Sequence, residues 1–408
     1  MRKLASVVKI SKVSPIEGAD RLEVAEMDGK GWRVVTAKGE FKAGDPAVYF
    51  EIDSALPFDD ERYAFLRERC ARKFVTKSGE LLHTAIRIKT MKLRGVVSQG
   101  LLIPLSQFPE IAPSEVEGRL MFHNLRRSDS GTETDKIAYE NVLEPLFGAD
   151  VSALLKVEHI DDVAARYAPV QGGSPTKFDA YGPFPSSFIP KTDEERVQNL
   201  ADWFDRYRDM EFEVTAKDDG SSVTMFYSPT VDEENPFGVC SRNMRLKEVM
   251  SDGTTPLAWE VAKKYDVQSK LKALFEKTGM ELAFQGELLG PGVNRNRDLY
   301  QEHEWHVFKI WDVKKQEFLL PQARRDLCKE VGLEHVALLA ERVRVFGDCR
   351  VEVDGEFAAA KSIDAVLKMA EGKTRRGNER EGIVFKSVED PSVSFKAVSN
   401  RYLLKQKD

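Results

Sequence analysis

The sequence predicts an α+β fold in two domains, a small N-terminal β-barrel followed by a larger domain of mixed antiparallel sheets with flanking helices. Three observations lead there. A chain of 408 residues exceeds what one hydrophobic core organises. Short alternating strands crowd the first hundred residues. From residue 211 onward strands and helices mix without a regular strand–helix–strand repeat, and no solenoid repeat is present.

Residues 1 to about 57 read as strands divided by turns: "LASVVKISKVSPI", "DRLEVAEMDGKGWRVVTAKGEF" and "GDPAVYFEI". The tetrapeptide Asp28-Gly29-Lys30-Gly31 between alternating strands is a hairpin signal. A more helical, charged excursion over 58–80 precedes another strand, "VVSQGLLIPL", at 96–105. Short strands with an insertion match a closed barrel of the OB type, although periodicity does not separate it from other small barrels. The chain then changes character. "SDSGTETDK" is turn-rich, "NVLEPLFG" and "VSALLKVEHIDDVAARYA" read as short helices, and "PVQGGSPTKFDAYGPFP" reads as a linker. The expected division is therefore a barrel domain over 1–165 with a helical insertion, a linker over 166–185, and a second domain over 186–408. That domain opens on "IPKTDEERVQNLADWFDRYR", where Thr192 and Glu195 form a capping box and Val197, Leu200, Phe204 and Tyr207 recur at helical spacing.

An apolar fraction of 42% and a charged fraction of 31% are those of a globular protein. Lys9 and Lys12 interrupt the N-terminal apolar run before a signal-peptide core forms, and no run reaches membrane-spanning length. Cys70, Cys240, Cys328 and Cys349 are far apart with no CxxC pair, which argues against a zinc site or disulfide framework and suits a reducing cytoplasm. A net charge of −6 excludes a protein that coats nucleic acid through overall positive potential. Local basic surfaces remain. One is "IRIKTMKLRG", with Arg87, Lys89, Lys92 and Arg94; the other is the tail, with Lys373, Arg375, Arg376, Arg380, Lys386, Lys396, Arg401 and Lys405. Their bland reading is a solvated face.

The chemistry is concentrated where "FEVTAKDDGSSVTMFY" interrupts two strands with Lys217-Asp218-Asp219-Gly220. Strand alternation turns Lys217 and Asp219 to one cleft and Asp218 away. A lysine amine, with a pKa of about 10.4, becomes a nucleophile only when burial or nearby positive charge depresses it. A metal bound to a phosphate under attack does this and polarises the phosphorus. Carboxylates must hold that metal. Asp219 is one; Glu287 in "FQGELLGPG" and Glu381 in "REGIVFKS" stand at similar strand-to-turn positions. An unpaired strand carboxylate is costly unless it is paired or ligates a cation. Arg242 in "SRN" offers a fork for phosphate or carboxylate, Phe308 in "HVFKIWD" can stack on a purine, and Lys396 supplies a charge suited to an α-phosphate. "HEWH" at 303–306 has no standard metal spacing.

The order Lys217-Asp218-Asp219-Gly220, Ser241-Arg242-Asn243, Phe284-Gln285-Gly286-Glu287, Phe308 to Asp312, Glu381 to Lys386, then Lys396 resembles the motif series of the covalent nucleotidyltransferases, the ATP-dependent DNA ligases, RNA ligases and capping enzymes. One KxDG is weak evidence; six elements in order are strong. DNA ligases and capping enzymes carry an OB domain after the last motif lysine, whereas here the barrel-like segment comes first. The opening "SPIEGADRLEVAEMDGKGWRVVTAKGEFKAGDPAVYFEIDSALP" together with "FPSSFIPKTDEERVQNL" and "SFKAVSNRYLLK" looks like the RNA ligase family whose founder is a Deinococcus enzyme. That resemblance implies an adenylyltransferase domain in which Lys217 takes AMP from ATP. It assigns Asp219, Glu287 and Glu381 to a Mg²⁺ or Mn²⁺ held largely through water, Phe308 to adenine, Lys396 to the α-phosphate and Arg196 to the β/γ-phosphates. Arg242 serves the later steps or orients a carboxylate. Arg87, Lys89, Lys92 and Arg94 track RNA. It also implies an RNA substrate with 3′-OH and 5′-phosphate ends, no membrane, and a monomer. One departure is Val398, where relatives have a second lysine; Arg401 or Lys405 is the candidate replacement. The rival expectations are a DNA-joining enzyme and a non-catalytic OB-type RNA-binding protein.

Overall fold

The computed structural model describes residues 3–75, 79–111, 144–167, 179–346, 350–353, 356–359 and 362–405. "SDSGTETDK", most of the linker and Cys349 lie outside them. The chain forms two units, residues 1–169 with 198–201, and residues 170–197 with 202–408.

In the first unit the long strand Ala5–Pro15 is shared: its first half pairs with Pro46–Phe50 and its second half with Leu22–Met27, with a bulge between Ile10 and Lys12. A bulge sharpens local bend and twist, which is how one strand serves two curved pairings. The predicted hairpin forms between Leu22–Met27 and Arg33–Ala37, with Glu26 opposite Arg33. A four-stranded sheet of Glu158–His159, Ser54–Pro57, Leu81–Arg87 and Ala71–Val75 adds to these. Val7, Val48, Phe50, Leu56, Tyr63, Ile86 and Phe108 fill the core. "VVSQGLLIPL" is two strands instead of one: Val96–Gln99 pairs with Thr90–Leu93, and Leu101–Pro104 turns away to pair with Pro46–Phe50. Of the predicted helices over 141–168, the described residues contain a short 3₁₀ turn, Glu144–Leu146, and the helix Ile160–Tyr167.

The second unit has a seven-stranded antiparallel sheet in the order Ala180–Pro183, Met244–Leu246, Phe237–Ser241, Ser221–Tyr227, Leu282–Leu289, Glu304–Asp312, Glu317–Phe318. Part of the expected linker is thus its edge strand. Helices Leu257–Lys264, Val267–Thr278 and Pro321–Val331 contribute Trp259, Leu271 and Cys328 to a core built on Met225, Phe284 and Ile310. A five-stranded sheet follows the order Glu195–Arg196, Ser394–Val398, Gly382–Ser387, Glu211–Lys217, Leu338–Arg344. Phe212, Phe346, Phe385 and Phe395 interlock on it, Phe385 and Phe395 stacking at 4.5 Å.

The helix expected over 192–207 does not form. Glu195–Arg196 is a strand, parallel to Ser394–Val398 with Arg196 opposite Lys396, and only Trp203–Arg206 is α-helical. Long-range partners outbid the capping box: Asp193 accepts from Lys396, Glu194 accepts from Lys309 at 2.8 Å, and Gln198–Ala201 fold with the first unit. Among the described residues no helix is long and apolar enough to cross a membrane.

Candidate active site

The interruption at Lys217–Gly220 is the place where the chain changes sheets. Glu211–Lys217 belongs to the five-stranded sheet and Ser221–Tyr227 to the seven-stranded one, so the side chains between them stand in the cleft where the sheets diverge. A β-carbon on Gly220 would lie 2.3 Å from the Leu288 carbonyl oxygen and 2.9 Å from Glu287 Cγ. Only glycine lets the turn press onto that strand. Its N–H donates to Glu287 Oε1 at 3.0 Å. Gly382 repeats the device, with a β-carbon 2.2 Å from the Ala397 carbonyl oxygen, and so brings Glu381 against the last strand.

Lys217 Nζ donates to Glu381 Oε1 at 2.6 Å. Asp219 Oδ1 accepts from Asn294 Nδ2, its Oδ2 lies 3.5 Å from Arg297 Nε, and that Oδ2 is buried without a hydrogen-bond partner. Three carboxylates thus gather at one amine. Burial pulls the Lys217 amine down, but Glu381, Glu287 and Asp219 outweigh it and hold it above the ordinary lysine value. Burial pushes Glu287 up to about 8, with Lys217 opposing and Glu381 and Asp218 adding. Burial also raises Glu381 against the pull of Lys217. This surplus of buried negative charge, with one orphaned carboxylate oxygen, suits a divalent cation. Among the described residues no three acidic, histidine or cysteine groups converge closely enough to ligate one ion directly.

Lys396 Nζ donates to Asp193 Oδ1 at 2.6 Å. Burial lowers its amine, Asp193 resists, and Arg196 and Lys217 push it lower still. Parallel pairing sets Arg196 beside Lys396. Phe308 is the extra residue of a β-bulge, since Gln285 pairs with Lys309 and Gly286 with Val307. It stays partly exposed in a strand otherwise buried from Trp305 to Asp312. Arg242 is exposed on the turn between Phe237–Ser241 and Met244–Leu246. Of the barrel residues, Lys92 and Arg94 are exposed, whereas Arg87 is only partly exposed and bonds to Asp53 at 3.3 Å. Val398 is buried and pairs with Gly382; Arg401 is committed to Glu371 and Lys405 to Glu379.

Sequence reasoning missed several neighbours. His306 bridges Asp218 at 2.8 Å and Glu304 at 3.0 Å; burial lowers its imidazole, but these two carboxylates outweigh that and raise it. His303 instead meets the Pro291 carbonyl, so the two histidines of "HEWH" serve different partners. Asp193, Asn294, Arg297 and Tyr402 carry no motif signal. They reach the site only through long-range packing, the phenol of Tyr402 being pushed up by burial and by Glu381 and Asp219.

No curated protein matches the chain. A family model described as RNA ligase matches residues 210–398, and one described as an OB-fold domain matches residues 4–105. Among solved structures, the chain is similar to a Naegleria gruberi RNA ligase with PPi, at 31% identity, TM-score 0.75 and complete coverage of both chains. An aspartate-to-alanine variant of that ligase without ligand matches at 31% identity and TM-score 0.74, over 100% of this chain and 99% of the other. A glutamate-to-alanine variant with ATP and Mn matches at 31% identity and TM-score 0.73 over the whole of both.

Proposed function

Because the chain belongs to the RNA ligase family, we propose that it joins RNA 3′-OH and 5′-phosphate ends with ATP, through a lysyl-AMP on Lys217. The observation that carries this reading is the convergence of Lys217 with Asp219, Glu287 and Glu381 at the crossing between two sheets, with Lys396 and Arg196 next to it. The solved Naegleria structures with ATP, AMP and Mn support ATP and a divalent metal as the companions of this site.

In the free protein Lys217 is an ammonium paired to Glu381, a form that cannot attack. Asp219, Glu287 and Glu381 would hold Mg²⁺ or Mn²⁺, mainly through its waters. When bound, that cation neutralises the carboxylates, favours the free amine and stabilises charge on the phosphate under attack. The Lys217 nitrogen then forms a bond to the α-phosphorus as the bond to pyrophosphate breaks. Lys396 exchanges Asp193 for the α-phosphate, Arg196 neutralises the leaving pyrophosphate, and Phe308 on its bulge stacks on adenine. An oxygen of the RNA 5′-phosphate next displaces Lys217, which leaves with the P–N electron pair and regains a proton. Finally the 3′-hydroxyl attacks that 5′-phosphorus and AMP departs. Arg242 serves these later steps.

The N-terminal unit, residues 1–169 with 198–201, acts as the RNA-holding module, with Lys89, Lys92 and Arg94 as phosphate contacts. Arg87 contributes less, because Asp53 already engages it. The likeness of the opening stretch, "FPSSFIPKTDEERVQNL" and "SFKAVSNRYLLK" supports the Deinococcus-type clade, and the reading extends to nicks in RNA-containing duplexes sealed by a cytoplasmic monomer. The test is incubation with α-labelled ATP and Mg²⁺ or Mn²⁺. A label on wild type that is absent from Lys217→Ala supports the reading; an unlabelled wild type refutes it. Nicks with RNA or DNA on the 3′-OH side then separate RNA joining from DNA joining.

A further inference from the structure

An open cleft, about 350 Å³ counting the solvent at its mouth, lies beside Lys217, walled by Asp219, Asn296, Arg297, Tyr300, Glu381 and Tyr402 among others. Arg196, Phe308 and Lys396 do not line it. Under the function proposed above, on which this inference rests, those residues belong to the nucleotide. The cavity is therefore left for the second substrate.

One guanidinium–tyrosine stack stands in its wall, and a second guanidinium, outside the lining, stacks on the wall residue Tyr300. Arg297 lies 4.4 Å from the Tyr402 ring centre and Arg376 lies 4.1 Å from that of Tyr300. Stacking fixes the plane of each fork and leaves its in-plane N–H groups for an anion. The remaining contacts are loose: Arg297 Nε is 3.5 Å from Asp219, and an Arg376 terminal nitrogen is 3.3 Å from Glu304. Three other basic groups of the tail are already engaged. Arg380 donates to the carbonyls of Met369, Ala370 and Glu371, while Arg401 and Lys405 pair with Glu371 and Glu379.

The loop that delivers Arg297 is held in an unusual backbone conformation. Asn294, Arg295, Asn296 and Leu299 have φ of 40°, 70°, 42° and 55°, in the left-handed region. Side chains hold it there. Asn296 bonds the N–H and carbonyl of Tyr300 at 2.9 and 2.8 Å, and Thr374 donates to Asp298 at 2.9 Å. Such conformations persist where surrounding structure imposes them, often at binding sites.

We propose that Arg297 seats the 5′-phosphate end of the RNA in this cavity beside the adenylated Lys217, with Arg376, stacked on Tyr300 outside the lining, adding positive charge. A phosphate entering here meets Asp219, Asp298, Glu379 and Glu381, and needs fixed positive charge to approach them. Once seated, a phosphate oxygen forms the bond to the α-phosphorus while the P–N bond to Lys217 breaks.

The test resolves the steps in wild type, Arg297→Ala, Arg297→Lys and Arg376→Ala. Labelling with ATP reports the first step and the fold. Single-turnover transfer of AMP from labelled enzyme to 5′-phosphorylated RNA reports the second. Relative binding of 5′-phosphate and 5′-hydroxyl RNA reports the cavity without catalysis. In Arg297→Ala, transfer falls by about tenfold or more beyond any change in labelling, and the preference for a 5′-phosphate disappears. Arg297→Lys recovers part of both, and Arg376→Ala shows a smaller loss. Transfer that falls only in step with labelling, or an unchanged 5′-phosphate preference, overturns the inference while leaving the ligase reading intact. A wild type that takes no label removes that reading, and the binding comparison still decides the cavity.

Discussion

At the scale of single residues, two glycines determine how close the acidic groups come to the amine. Gly220 and Gly382 each sit where a β-carbon would strike a backbone carbonyl. Gly220→Ala is expected to destabilise the protein by about 1–3 kcal/mol and to abolish labelling by ATP, as read by urea unfolding and a gel. Charge makes a second expectation. Burial holds the Glu287 carboxyl up at about 8, so below that pH it carries a proton that a cation must displace. Mn²⁺ affinity measured by calorimetry should therefore strengthen as pH rises from 6 to 8, with proton release on binding. An affinity flat over that range would contradict this account of Glu287. The candidate acids and the lysine were legible because each motif carries its own glycine or strand boundary. Asn294, Arg297 and Tyr402 were not, since nothing local in "NRNRD" or "RYLLK" says that they meet at Asp219.

At the scale of elements, the segment 192–207 shows where local signals fail. Its capping box and apolar spacing describe a helix, yet Arg196 extends beside Lys396 because Asp193 and Glu194 find partners 200 residues away. Long-range ion pairing and a parallel ladder exceed a preference of a few tenths of a kcal/mol per residue. The helix Pro321–Val331, which the sequence reading did not single out, shows local signals and packing in agreement, with Pro at its first turn and Gly332 after its end. From it Arg324 and Arg325 reach the buried Glu213 on the strand that ends in Lys217. Glu213→Ala leaves two cations facing a dry interior and should cost about 3–5 kcal/mol in denaturant unfolding. A loss under about 1 kcal/mol would mean that water reaches the pair. The bulge that presents Phe308 is likewise an element-level feature. Phe308→Ala should raise the ATP concentration needed for labelling, and Phe308→Tyr should restore it.

At the scale of the molecule, acid sensitivity follows from a histidine held neutral. Burial, then Arg324 and Lys386, push His335 down to about 3, while its Nε2 accepts from Arg324 at 3.0 Å. Its folded pKa lies below the unfolded value, so the unfolded chain takes up the proton first. Stability is full above the unfolded pKa and falls as pH drops through it, by about 1.4 kcal/mol at pH 5.5. His335→Gln should flatten that slope in thermal unfolding between pH 7 and 5.5. By itself the sequence determined the two-part α+β architecture, the hairpin at Asp28–Gly31, and the candidate lysine with the three acids that gather at it, because these rest on residue type, alternation and glycine placement within short stretches. Tertiary structure alone decided that Lys217–Gly220 crosses between sheets, that Arg196 is a strand residue, that Arg87 is already engaged, and that a cleft lined by Arg297 and Tyr402 opens at the same amine. Those features arise from contacts between segments tens to hundreds of residues apart, and their energies exceed anything a local pattern records.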